Sequence, residues 1–163
     1  MDFLKQLKIW ANGDALQGKI MATAAILTGL VLIFILNNDQ VFLNGMIIPL
    51  SLLLIANLGY GSFLLFSRPK HLITTQNLYK ENSKEAIKKE LEKAMNDHKA
   101  YSILQYVWIG LMIVSVVLWF VLSGEYYKGL SIGLIIMSIG GFLIDTFLHR
   151  RLKPYLMVLE QHK

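Results

Sequence analysis

Four long apolar runs organise the chain. The first extends from Ile20 to Leu36, seventeen residues without a charge. The second covers Val41 to Phe66 and is interrupted only by uncharged polar residues, and the third runs from Ile103 to Leu122. The fourth, Leu130 to Leu148, contains a single acid, Asp145. A helix rises 1.5 Å per residue, so roughly 20 residues cross a hydrocarbon layer about 30 Å thick. In lipid the backbone must satisfy its own hydrogen bonds within each segment, which makes helix the reading for all four runs. The pattern predicts an all-α, polytopic membrane protein with four transmembrane helices arranged as two hairpins. Nineteen residues precede the first run and no small-x-small cleavage site follows it, so it reads as a span and not a signal peptide.

Composition agrees. Of 163 residues, 55% are apolar and 17% charged, where a soluble domain carries about a quarter charged; the mean hydropathy is +0.49. The absence of cysteine excludes disulfides, thiolate metal sites and a cysteine nucleophile. Basic residues are distributed unevenly. Fifteen of the sixteen lie in the N-terminal stretch, the central segment and the tail, against Lys128 alone in the two short connections. The positive-inside rule then predicts a multi-pass protein of the cell (inner or plasma) membrane with both termini cytoplasmic.

Five segments follow: an interfacial amphipathic N-terminal helix over 1–13, a hairpin over 14–67, a cytoplasmic linker and charged helix over 68–102, a second hairpin over 103–148, and a basic tail over 149–163. Phe3, Leu7 and Trp10 share a helical face suited to the headgroup region. Asn12-Gly13 is expected to turn the chain, and Asp14 to cap the first span. Ser67 to Glu81, with Arg68-Pro69, reads as a membrane exit followed by an irregular segment. Asn82 and Glu85 then form a capping box. Ile87, Leu91, Ala94, Met95, His98 and Tyr101 recur at helical spacing, with Glu85/Lys89 and Lys93/Asp97 as surface pairs. With no Gly or Pro between Asn82 and Tyr106, this amphipathic helix is expected to run unbroken into the third span. Ile87, Leu91 and Met95 form its candidate partner seam.

A shift of 84 residues lays the second span on the fourth: Gly45 falls on Gly129, Ile55 on Ile139 and Leu64 on Leu148. Gly45, Pro49, Leu53, Asn57 and Gly61 form one stripe, and Gly129, Gly133, Met137, Gly141 and Asp145 its counterpart. Both are short of bulky side chains, as expected of a parallel repeat about an axis along the membrane normal. Gly45, Gly61, Gly129, Gly133 and Gly141 are thus candidate helix-packing positions.

Chemistry is sparse. Asn57, Tyr60 and Asp145 are the intramembrane polar candidates, with Asp145 expected to pair with His149 or Arg150. Trp108, Trp119, Tyr126 and Tyr127 read as interfacial anchors. Arg150, Arg151 and Lys153 form a juxtamembrane cluster that sets orientation and contacts anionic lipid. No catalytic motif, metal-ligand spacing or cofactor loop is present; no cofactor, metal or nucleic-acid partner is expected. The reading is a non-catalytic membrane protein that assembles with itself or a membrane partner through its spans and its charged helix. An oligomeric channel or pore-forming effector, and an immunity protein against a membrane-active toxin, are the alternatives.

Overall fold

A computed structural model describes residues 3–161; His162 and Lys163 of the expected basic tail lie outside the described residues. The described chain is all-α, with helices α1 (Phe3–Leu36), α2 (Val41–Glu81), α3 (Ser83–Val121) and α4 (Glu125–Gln161). All four are long and apolar enough to cross a membrane. At 34 to 41 residues they are roughly 50–60 Å long, about twice the hydrocarbon thickness. Each therefore has an apolar half and a half that carries charge. The charged halves gather at one end: Phe3 lies 5.0 Å from Tyr79 and 6.3 Å from Tyr155 between ring centroids. This is the polar end. The turns at 37–40 and 122–124 form the apolar end.

Local chemistry sets the boundaries. The Asn37 side chain donates to the Ile33 carbonyl at 3.0 Å, and Asn38 Oδ1 accepts from the Gln40 amide at 3.1 Å, closing the first turn. Asn82 is extended (φ −147°), and its Oδ1 accepts from the Glu85 amide at 3.1 Å. The expected cap is present. Gly124 has φ +124°, a conformation that glycine adopts without a Cβ penalty.

Helices α2 and α4 lie side by side, α1 packs along α2 and α3 along α4, while the α1–α4 and α2–α3 seams are looser. The α2–α4 contact exchanges under the 84-residue shift. A Cβ on Gly45 would strike the Tyr126 carbonyl, and one on Gly129 would strike the Phe42 carbonyl. Burial follows the same shift: Leu7 and Leu91, Leu64 and Leu148, and Leu72 and Leu156 all join the polar-end core. A smaller core of Leu32, Ile35, Met46 and Leu50 sits toward the apolar end.

Three expectations are corrected. The N-terminal segment is not a separate interfacial helix turned at Asn12-Gly13, because α1 is continuous from Phe3. Phe3, Leu7, Trp10, Asp14, Gln17 and Met21 fall at three- and four-residue steps, and all are buried. Burying that stripe outweighs the roughly 1 kcal/mol that an interior glycine costs. Residues 67–81 are not irregular, because α2 passes through Pro69 to Glu81. Proline costs about 3 kcal/mol in a helix interior, offset here by Leu64, Leu72 and Tyr79 packing into one core. Finally, the buried face of α3 is rotated about one residue from the expected stripe. Ala86, Glu90, Leu91, Ala94 and Tyr101 are buried, while Met95 is 54% exposed.

Candidate functional site

The polar end contains a cluster of charges contributed by α1, α2 and α3, joined by the Tyr155 hydroxyl of α4 and largely shielded from solvent. Each of its three innermost charges lies on an apolar stripe: Asp14 between Trp10 and Gln17, Arg68 beyond Leu64, and Glu90 between Ala86 and Ala94. Helical spacing forces these three inward once their stripes are buried.

Arg68 is central. Its Nε lies 3.0 Å from Asp14 Oδ2, and its Nη2 3.8 Å from Asp97 Oδ2. The Arg68–Asp14 contact is an ion pair whose angle is not that of a hydrogen bond, leaving both Asp14 oxygens without an aligned donor. Burial pushes the Asp14 carboxyl up to about 6, against the downward pull of Arg68 and Arg151. Burial likewise raises Asp97, again opposed by Arg68. The guanidinium carbon sits 4.4 Å from the Trp10 ring centroid, and Lys93 Nζ 5.4 Å from the same ring. A cation held over an indole recovers part of its lost hydration.

The second part of the cluster surrounds Glu90. His71 Nε2 lies 2.9 and 3.1 Å from the two carboxylate oxygens. Thr75 donates to Oε1 at 3.2 Å, and Tyr155 to Oε2 at 2.8 Å. Burial alone would raise the Glu90 pKa; the bonds from His71 and Tyr155, with the charge of Lys93, outweigh it and hold the carboxyl below its usual range. The Tyr155 hydroxyl is raised by burial and by its carboxylate neighbour. Lys93 Nζ lies 3.1 Å from the same His71 Nε2. One imidazole nitrogen cannot donate to Glu90 and accept from an ammonium at once, so those two bonds are alternatives that exchange with one proton. Burial and the nearby Arg68 lower the Lys93 pKa. No group of three or more His, Cys, Asp or Glu suited to a metal ion occurs among the described residues.

The residues singled out from the sequence lie elsewhere, mostly at helix contacts. Tyr60 and Tyr101 hydroxyls are 3.0 Å apart. Asp145 does not pair with His149 or Arg150; Trp108 Nε1 donates to its Oδ2 at 2.6 Å. Trp108 also covers Gly141, so it is a packing residue rather than a free interfacial anchor. His149 Nε2 instead meets His98 Nδ1 at 2.8 Å. Asn57 donates to the Leu53 carbonyl at 3.0 Å, and its Oδ1 is buried without a partner. All five candidate packing glycines sit at close helix approaches: Gly45 and Gly129 as above, Gly133 against Pro49, Gly141 against Trp108, and Gly61 against Met21. Gly18, not singled out, backs directly onto the Gly61 carbonyl.

The seam Ile87, Leu91 and Met95 is largely closed within the chain: Leu91 is buried in the polar-end core, Ile87 packs on it, and only Met95 faces out. Asp97 reaches Arg68 instead of standing as a surface pair with Lys93, whereas Glu85 and Lys89 do pair at 2.6 Å. Arg150 and Lys153 are exposed, and Arg151 donates to the Gly13 carbonyl, tying α4 to α1.

Asp14, Arg68, His71 and Glu90 were missed as a group. Asp14 read as a cap, and Glu90 was not singled out. Their signal was a charge in register with an apolar stripe, visible only if each helix is extended through Gly13 and Pro69. No family model, curated protein or solved structure matches the chain.

Proposed function

We propose that this is a non-catalytic integral membrane protein of the cell membrane. In this reading it inserts as two hairpins with its polar end and both termini in the cytoplasm, and assembles with itself or a membrane partner through its helices. Orientation is supported by the sequence distribution of basic charge, fifteen residues in the terminal and central segments against Lys128 alone in the short connections. One observation carries the assembly role over a pore: apart from the Asn57 Oδ1, polar groups in and at the border of the spans are engaged across helices. Tyr60 meets Tyr101, Trp108 bonds Asp145, and Gln105 donates to Thr146 at 3.1 Å. A water path needs such groups turned toward a lumen.

Helix α3 offers the assembly surface. Only 6% of its most apolar window is buried, against 33% for α4, and Ile113, Val117 and Phe120 face outward. Because the chain has no cysteine, single cysteines report contacts cleanly. Oxidation of Ile113→Cys in native membranes is expected to give a covalent dimer or a larger adduct, and Ile26→Cys on α1 none. Monomer in both, together with ion conductance in planar bilayers, would overturn the assembly reading.

A further inference from the structure

The α1–α4 seam forms one furrow along the molecule. At the polar end it opens into a cavity of about 450 Å³ walled by Ile9, Trp10, Gly13, Phe147, Arg150 and Arg151. Phe147 also lines the next cavity, about 280 Å³, which continues past Ile20, Ala24, Thr28, Leu143 and Ile144. On α1 these positions share one face, 13, 17, 20, 24 and 28, so mouth and floor together run roughly 22 Å. The furrow thus has a cationic mouth and a mostly apolar floor, broken by Gln17, Thr28 and Asn57, and the border between them falls where the fourth span gives way to His149-Arg150-Arg151.

The related positions sharpen the point. Shifted by 84, Phe147, Arg150 and Arg151 become Phe63, Phe66 and Ser67, which line an open hollow of about 630 Å³ along α2, together with Lys70 and His71. The shift reproduces the phenylalanine of the wall but puts Phe66 and Ser67 where the two guanidiniums stand. Arg151 spends one donor on the Gly13 carbonyl, which fixes its plane at the mouth. Arg150 makes no ion pair among the described residues. Two forked donors side by side match the oxygens of a phosphate group.

We propose that the α1–α4 furrow binds an anionic phospholipid, its phosphate on Arg150 and Arg151 and one acyl chain along Phe147, Leu143, Ile20 and Ala24. The inference rests on the membrane reading above.

Native mass spectrometry of the full chain tests it, after delipidation in neutral detergent and addition of phosphatidylglycerol or phosphatidylcholine of identical chains. Phosphatidylglycerol should be retained preferentially. Arg150→Gln, an exposed change that leaves the Arg151 tether intact, should cut that preference about fivefold, and Arg150→Gln with Arg151→Gln should abolish it. Ala24→Phe, which fills the floor, should weaken retention of both lipids alike. Equal retention of the two lipids, or an unchanged preference in Arg150→Gln, overturns the site. Displacement of bound lipid by glycerol phosphate alone also overturns it, in favour of a soluble phosphate ligand. A chain that stays folded and monodisperse without detergent defeats the membrane reading itself, a separate result from loss of lipid preference in a detergent-dependent protein.

Discussion

Arg68 is the residue on which the polar end most depends, because it faces two acids and an indole while almost wholly buried. Removing one partner of a buried ion pair leaves the other charge uncompensated, at a cost of about 3–5 kcal/mol. Arg68→Leu introduces the residue found 84 positions on, at Leu152, so shape alone is tolerated there. We expect Arg68→Leu to lower the thermal midpoint in detergent sharply, and Asp14→Asn with Arg68→Leu to recover most of the loss. Equal destabilisation of the single and double variants would show that charge balance is not the cause. The pH response has a definite sign. Asp14 titrates at about 6 in the fold, above its usual 3.8, so the folded state holds that proton more tightly than the unfolded chain. Its contribution is full below about pH 4 and is lost as pH rises toward 6. Glu90, held below its usual 4.5, acts oppositely: its contribution is present at higher pH and lost on acidification. Thermal midpoints of parent and Asp14→Asn across this range should therefore diverge, the variant gaining relative stability as pH increases.

Among the helices, the α2–α4 contact depends on glycine because backbone meets backbone there. Gly129→Ala drives a methyl group into the Phe42 carbonyl, and overpacking of this kind costs about 1–3 kcal/mol. Gly110→Ala, with nothing within 4 Å, should be neutral or stabilising by up to about 1 kcal/mol. Unfolding midpoints of the two variants give the comparison, and equal effects would remove the close-approach argument. Asn82→Ala should cost about 1 kcal/mol through loss of the cap to α3, visible in the same measurement. The cap, the four helices and the packing glycines were legible in the sequence, because capping and small-residue spacing are local signals. The continuity of α1 through Gly13 and of α2 through Pro69 was not. Those residues favour a break locally, and only the core beyond them, assembled from distant helices, overrides the preference.

For the molecule as a whole, the paired contacts related by 84 residues make α1–α2 and α3–α4 two comparable units meeting at α2 and α4. Their only covalent link is the turn at Asn82. Chains cut at Asn82 and expressed together should therefore reassemble, with a tag on one half recovering the other from solubilised membranes. Recovery of the tagged half alone would show that the link itself carries the assembly. The polar-end cluster should be complete only in the reassembled pair, since Asp14, Arg68 and His71 come from one unit and Glu90, Lys93 and Tyr155 from the other.

Hydropathy and spacing alone determined four apolar helices, their boundaries at Gln40 and Asn82, the glycines of closest approach and the uneven distribution of basic charge. These are properties of solvent preference and short-range geometry, written at the positions that carry them. Tertiary structure decided which way each stripe faces, and therefore that Asp14, Arg68 and Glu90 are core residues and that Trp108 serves Asp145. It also decided that the α3 seam closes inside the chain. A buried ion pair joins residues 54 positions apart, and no local signal in either one specifies its partner.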